Sequence, residues 1–432
     1  MDTDDVPSLQ IHPPLIQSDV HKPWEDKLFW KAHIVNPLRH TKECPTISTS
    51  GRLDMDSMEQ IRVIPVTNRR LRRDFIRLPW LIYSNDPIWI PPLFLERQEQ
   101  LSQRNPYFAH ARAKFWLAYQ NETAVGRISA QIDKLHLERY QDLTGFFGMI
   151  EAEDNAEVFK TLFTTAETWL RSQGMRYIRG PFNLSINQEC GLLVDGFEYP
   201  PMVMMGHAPR YYSPQLESLG YRKVKDTLAY RIDATFTPPP VMQLIAARTA
   251  ERITVRPLQR SNFKRDISIL QDIFNDAWAD NWGYIPFTET EFSHLARSLK
   301  YLVADDLIQI AEVDGIPAAM IVVFPNVNEA IRDLNGRLFP FGWIKLLWRL
   351  KATHPKTARI PLMGVRKRYQ RSLLGTALAF MVIDAVRNPG LKRSIQEVEL
   401  SWILEDNHGM RNILHSLGGT PYKQYRIYQK EL

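Results

Sequence analysis

Apolar and polar residues begin to alternate at Ile61-Arg62-Val63-Ile64-Pro65-Val66, and that period of two predicts a strand. Residues 1–60 show no sustained period and contain Pro-Pro and Thr-Ile-Ser-Thr-Ser-Gly. They predict a poorly ordered leader with one short amphipathic turn around Trp24–Trp30, and an alternative start at Met55 or Met58. Beyond the first strand the pattern predicts helical segments near 68–84 and a strand pair, Phe115–Tyr119 and Ala124–Ile132, around a Gln-Asn-Glu-Thr turn. An apolar run Gly145–Ile150, a helix Ala156–Ser172 closed by Gly174, and a strand Met175–Arg179 follow. Strands alternating with helices predict an α/β fold. The proline density of Asp233–Pro240 predicts a linker, 236–251, between a module at 61–235 and a second at 252–432.

The two modules share a weak internal repeat. Leu216-x-x-Leu219-Gly220 and Tyr230 match Leu414-x-x-Leu417-Gly418 and Tyr428 at one offset, each reading as a helix capped by glycine and followed by a strand. Glu122–Gly126 and Val313–Pro317 match as hairpin turns. We therefore expect two related modules packed as a pseudo-dimer, their sheets meeting across an acceptor cleft.

Composition narrows the class. Of 432 residues, 44% are hydrophobic and 24% charged, as in a soluble globular protein. Cys44 and Cys190 are the only cysteines, which excludes a disulfide scaffold and suits a cytoplasmic setting. No run approaches the roughly 20 apolar residues of a membrane span. The net charge of +6 is uneven: residues 1–60 hold 6 Lys/Arg against 10 Asp/Glu, leaving 48 against 38 in the body. A basic body suits nucleic acid, an anionic membrane surface, a polyanionic cofactor or a solvated face, and charge alone does not choose among them. No zinc spacing, Gly-x-Ser-x-Gly elbow, Walker loop or nucleic-acid-binding pattern is present, so neither a metal nor nucleic acid is expected.

The most informative stretch is the apolar strand Ile360–Val365, the basic loop Arg366–Ser372 and a helix running to about Arg387. A strand leading through Arg and Lys into a helix N-terminus gathers free N–H groups and a positive dipole where a pyrophosphate can sit. A second strand, Glu397–Ile403, then leads to Asn407 and a helix ending at Leu417-Gly418.

On these residues the chain resembles the GNAT superfamily of acyl-CoA N-acyltransferases. Gln370-Arg-Ser-Leu373-Leu-Gly375 is similar to the family's Gln/Arg-x-x-Gly-x-Gly/Ala loop, with Leu373 in place of the middle glycine. Asn407, Leu417 and Gly418 resemble its second signature, but Leu414 stands where many members carry a tyrosine that protonates the leaving thiolate. The first module has only the acidic Glu151-Ala-Glu-Asp-Asn155 before its long helix, and so resembles a degenerate copy that builds the acceptor side. Gly180–Asn187, Tyr211-Tyr212, Asn281–Tyr284 and Ser401–Asn407 look like a bacterial tandem branch of N-acetyltransferases similar to the bacterial ceramide synthases.

The resemblance implies two GNAT-like modules, each a mixed, mostly antiparallel sheet flanked by helices, and a coenzyme A thioester as donor. It implies CoA contacts at Leu362, Met363, Gly364, Val365, Tyr369, Gln370, Arg371, Ser372, Leu373, Leu374, Gly375, Thr376 and Asn407. Candidate bases are Glu399, on the polar face of its strand with Ser401; His207, whose ordinary pKa is near working pH; and Glu189. Asn183, Asn187, Tyr211, Tyr212, Asn281, Trp282, Tyr284, Asn326, Asn328 and Ser401 are candidates to position the acceptor. For each of these residues a packing or loop-fixing role is the alternative.

Residues 335–351 set four cations among large apolar side chains. They read as an interfacial helix at the inner membrane face, a lid over an acyl channel, or an ordinary packed helix. The expected reaction is direct transfer of a long acyl chain to an amphiphilic amine such as a sphingoid base. A small-molecule N-acetyltransferase and a non-catalytic acyl-CoA-binding module are the alternatives.

Overall fold

A computed structural model describes residues 60–432 apart from Tyr301. The leader through residue 59, with its Trp24–Trp30 turn, the alternative start positions and Cys44, lies outside the described residues. The first half contributes β1 (Ile61–Pro65), β2 (Ala111–Gln120), β3 (Thr123–Asp133), β4 (Thr144–Ala152), β5 (Tyr177–Gly180), β6 (Phe182–Asn183), β7 (Glu189–Cys190), β8 (Leu192–Asp195) and β9 (Arg222–Asp233). The second adds β10 (Ile253–Pro257), β11 (Ile308–Val313), β12 (Ile316–Pro325), β13 (Thr357–Val365), β14 (Glu397–Leu404) and β15 (Thr420–Glu431).

Local signals place these elements. Helix Ala156–Ser172 starts where the Asn155 side chain accepts from Glu157 N at 2.9 Å, and the chain turns out of it at Gly174, φ +80°. Its face of Val158, Phe159, Leu162, Phe163, Ala166 and Leu170 is buried on β2–β4. The repeat glycines act alike: Gly220 and Gly418 each leave a helix with positive φ, 86° and 80°. A Cβ at either would meet little or nothing, so their glycines serve backbone conformation and not crowding.

The expected separate sheets facing each other across a cleft are not what forms. Thirteen strands make one continuous mixed sheet in the order β1-β2-β3-β4-β5-β15-β9-β14-β13-β12-β11-β10, with β8 also on β15. The closing strand of each half has crossed to the other. β15 pairs with β5 (Tyr428 opposite Gly180) and β9 pairs with β14 (Glu397 opposite Asp233), while β9 and β15 pair with each other. Side-chain alternation then lets β9 serve both cores, Ala229 joining the first and Tyr230 and Ile232 the second.

In each half one parallel pair splays apart. β4 and β5 pair only over Thr144–Phe146, and β13 and β14 only over Thr357–Ile360. Helices between Arg69 and Ala109 form a third core with Met149 and Leu184 beside the first splay. No helix among the described residues is long and apolar enough to cross a membrane.

Candidate active site

The first splay is occupied by the protein's own chain. Asn183 Oδ1 accepts from Met149 N at 2.7 Å, and Gln131 Nε2 donates to Phe182 O at 2.6 Å. A Cβ on Gly148 would lie 1.8 Å from Phe182 O, so only glycine lets β6 lie that close.

Beside this splay is a cavity of about 480 Å³, mostly walled by apolar side chains, a size suited to a drug-sized or lipidic ligand. Phe75, Ile76, Trp89, Leu93 and Met149 from the first half face Phe287, Leu295, Phe324, Ile331 and Leu338 from the second. A smaller cavity of about 50 Å³ shares Leu295, Val303 and Phe324 and reaches Leu362 on β13.

Many of the polar groups in this lining are tied to one another. His207 is almost wholly buried, and its Nε2 lies 2.7 Å from Asp86 Oδ2. Burial alone would raise the Asp86 pKa, but hydrogen bonds from His207 and from Ile88 N hold it below the usual carboxylate range. Burial lowers His207 despite Asp86, so the ring is neutral at pH 7. With Asp86 accepting the Nε2 proton, Nδ1 keeps its lone pair, and it has no partner among the described residues. This is the arrangement of a base held ready by a carboxylate.

Glu189 is also at the cavity but is engaged. Its oxygens accept from Arg97 at 2.5 Å and from Asn183 at 2.8 Å. Burial pushes it up, and Arg97 more than offsets that, leaving the carboxyl below its ordinary value and a weak base. Glu151, which the pattern of the strand did not single out, accepts from Tyr83 at 2.7 Å and Tyr212 at 2.9 Å with Arg127 at 3.6 Å; burial raises its pKa.

Glu399 is not at the cavity. It is fully buried, 3.4 Å from the equally buried Arg359, and accepts a hydrogen bond from Tyr422. Ser401 does share its face of β14, but only to accept from Arg359 Nε at 2.6 Å. The polar face of this strand is covered by protein, which removes Glu399 and Ser401 from contact with an acceptor in the cavity.

Other candidates divide similarly. Asn183, Asn187 and Asn328 line the cavity, with Asn187 donating to Ile285 O at 3.0 Å and Asn328 to Pro201 O at 2.9 Å. Asn326 lies behind it, bonded to Val203 N and Thr357 Oγ1. Tyr211 bonds to Ala152 O at 2.7 Å and packs on Tyr212, away from the large cavity. Trp282 is stacked under Arg179, and Tyr284 bonds to Asn275 while its carbonyl accepts from Tyr140. With Asn281, whose backbone N–H closes the turn onto Trp278 O, they form a segment packed between the two halves, outside the large cavity.

At the second splay the loop holds its own geometry. Gln370 Nε2 donates to Val365 O at 2.8 Å and Ala277 O at 3.1 Å, while Arg366 and Lys367 are tied to Asp272 and Asp280. Ser372 caps the helix Leu373–Lys392 through Gly375 N at 3.1 Å, and a Cβ on Gly375 would lie 2.1 Å from Tyr369 O. Gly375 thus permits close approach of the loop to itself. Arg368 stacks on Tyr369, and the exposed Arg371, φ +59°, has no side-chain partner among the described residues. Trp278 Nε1 donates to Met363 O at 3.2 Å, and Gly364 packs tightly on Ala277. Asn407 caps the next helix through Met410 N at 3.1 Å, and Leu414, at the family's tyrosine position, is fully buried.

A paired-splay sheet with its closing strands exchanged defines a tandem GNAT protein. No family model matches the chain. It is 50% identical over 368 residues to protein YghO of Escherichia coli (strain K12), which covers 84% of this chain and 94% of that protein. It is 47% identical over 375 residues to the bacterial ceramide synthase of Caulobacter vibrioides (strain NA1000 / CB15N), covering 86% and 98% respectively. The solved tandem GNAT protein from the clavulanic acid biosynthesis pathway matches the fold with TM-score 0.51 at 12% identity, over 86% of this chain and 98% of that one. The chain belongs to the family of YghO and the bacterial ceramide synthase, and it is a GNAT-type N-acyltransferase.

Proposed function

We propose that the protein transfers a long acyl chain from a coenzyme A thioester to the amine of an amphiphilic acceptor such as a sphingoid base. The observation that carries this reading is the 480 Å³ apolar cavity with the neutral His207 in its wall. The smaller cavity reaching Leu362 supports a path for the acyl chain from the second splay. The Caulobacter relative, a bacterial ceramide synthase by name, favours a lipidic acceptor.

In this reading the module at 252–432 takes the thioester and that at 61–235 builds the acceptor side, its own splay being filled by β6. Residues Leu362–Val365 and Tyr369–Thr376 would hold the donor. The N-terminus of the helix Leu373–Lys392, with Arg368 and Arg371 beside it, suits a pyrophosphate. The thioester supplies an acyl carbon and a thiolate leaving group. His207 Nδ1 takes the proton that the acceptor nitrogen releases as it bonds to the acyl carbon, and Asp86 stabilises the imidazolium so formed. Direct transfer fits the Cys190 thiol, which burial pushes up to about 12 and leaves without nucleophilic thiolate.

The segment 335–351 is not one helix. Phe339 and Phe341 sit on a loop before the helix Gly342–Trp348, followed by a π-helical turn Arg349–Thr353. Phe339, Phe341, Trp343, Ile344 and Trp348 are exposed beside Leu338 of the cavity wall, with Arg337 and Lys351 nearby in the chain. This apolar, basic surface fits an anionic bilayer supplying the acceptor.

Chain-length preference is the deciding experiment. Thiol release with a sphingoid base should favour palmitoyl-CoA over acetyl-CoA by several kcal/mol, at about 0.8 kcal/mol per buried methylene. Equal turnover of acetyl-CoA with small polar amines would replace this reading by a small-molecule N-acetyltransferase.

A further inference from the structure

His207 belongs to the first half, but the segment that carries it is held from the second. Residues 200–209 form neither helix nor strand, so no ladder takes up their backbone groups. Side chains of the second half do so instead, through four contacts. Lys423 Nζ on β15 donates to Pro200 O at 3.0 Å, and Asn328 Nδ2 donates to Pro201 O at 2.9 Å. Asn326 Oδ1 accepts from Val203 N at 3.2 Å, and Arg359 Nη1 on β13 donates to Val203 O at 2.9 Å.

The holding groups are themselves fixed. Arg359 is fully buried, with Glu399 at 3.4 Å and Ser401 Oγ accepting from its Nε at 2.6 Å. Asn326 Nδ2 donates to Thr357 Oγ1 at 2.9 Å. What they hold is not a relaxed turn. Met204 has φ +62°, which costs energy for a residue with a side chain and persists only where its surroundings impose it. Met205 N closes this turn onto Met202 O at 3.0 Å, and His207 comes two residues later. There the first half takes over, Tyr83 donating to His207 O at 3.1 Å and Asp86 accepting from the ring. Arg359 stands three residues before Leu362 on β13, the strand that would receive the thioester.

We infer that Asn326, Asn328, Arg359 and Lys423 are positioning residues that hold the His207 segment in register with the donor strand, so that the half taking the thioester also places the base. This deepens the reading of His207 as the base and rests on it. It also gives the buried Glu399 a part, as the counter-charge of Arg359.

Asp86 and Tyr83 from the first half and Lys423 from β15 are set against the ring. Loosening the segment would admit water there, and because burial is what holds the ring's pKa down, that pKa would move up toward about 6.5. Asn326→Ala and Asn328→Ala, neither of which changes a charge, test the assignment in the full-length protein with palmitoyl-CoA and a sphingoid base. Each should lower kcat about tenfold, as for one lost hydrogen bond, with little change in KM for the thioester. The acid limb of kcat should move to higher pH, and NMR titration of the His207 ring, which needs no turnover, should move with it. A variant damaged only in stability would lose activity evenly across pH and keep the wild-type titration. That outcome, or an unchanged kcat, would overturn the positioning role. His207→Gln separates the two readings. If it keeps wild-type kcat and acid limb, the base reading fails and this assignment with it. If it is inactive while both asparagine variants keep the wild-type profile, the positioning assignment alone falls.

Discussion

Asp86 and His207, which lines the cavity, are 121 residues apart in the chain and meet at 2.7 Å, leaving the buried Nδ1 of the ring without a partner among the described residues. If that nitrogen takes the acceptor's proton, His207→Gln should lower kcat by about 10²–10⁴ with little effect on CoA affinity. The pH profile carries the sharper signature. The working form is the neutral ring, whose pKa is held down by burial, so kcat should fall only as pH drops below the ordinary histidine value of about 6.5. A variant that keeps wild-type kcat and the same acid limb would exclude His207 as the base.

The donor loop gives a second expectation. A side chain at Gly375 must displace Tyr369 O, so Gly375→Val should weaken CoA binding by about 1–3 kcal/mol. Arg371→Ala should weaken it less, and increasingly so at low salt. Calorimetry showing unchanged affinity in both, with loss caused instead by changes at Glu153–Asn155, would move the donor to the first half.

The exposed aromatic surface predicts lipid binding that depends on headgroup charge. Vesicles containing phosphatidylglycerol should retain the protein, phosphatidylcholine alone should retain less, and salt should release it. Replacing Phe339 and Phe341 by serine should cut the bound fraction sharply, since each buried ring contributes roughly 1.5–3 kcal/mol. Equal flotation of wild type and double variant would sink the membrane assignment.

Stability should depend on pH through His110. Desolvation lowers its pKa, but Asp133 at 2.9 Å and Glu291 at 3.2 Å raise it to about 9, above its unfolded value of about 6.5. The folded state therefore binds the extra proton. Its contribution is fully present below about pH 6.5 and is lost as pH rises through about 9. His110→Gln should lower Tm at pH 6 and narrow the wild-type loss of Tm between pH 6 and 9.5. The same slope in both proteins would show that the ion pairs contribute nothing.

What was legible in the sequence follows the range of the forces involved. Helix Ala156–Ser172 has the bounds its pattern predicts, because an Asn cap, a 3.6-residue apolar stripe and a following glycine act within a few residues. The exchange of β9 and β15 was not legible, since either strand presents the same alternation to either partner. Glu399 and Ser401 share a face as alternation requires, but periodicity says nothing of what covers that face, and Arg359 and Tyr422 do. Asp86 went unnoticed because its partner His207 comes from a distant segment, and Glu151 was read only as part of an acidic stretch. For Glu151 one signal existed: a carboxylate at the end of the apolar run that forms β4.

Chain exchange also sets an order of assembly. β5 needs β15 as its neighbour, and β15 is synthesised after every other strand of the sheet. On the ribosome the first half therefore waits with an open, hydrogen-bond-hungry edge until the last strand emerges. Truncation just before Thr420 would not trim a margin. It would cut the sheet at its centre and leave two half-molecules, each with a sticky side facing the cytosol of an expressing cell.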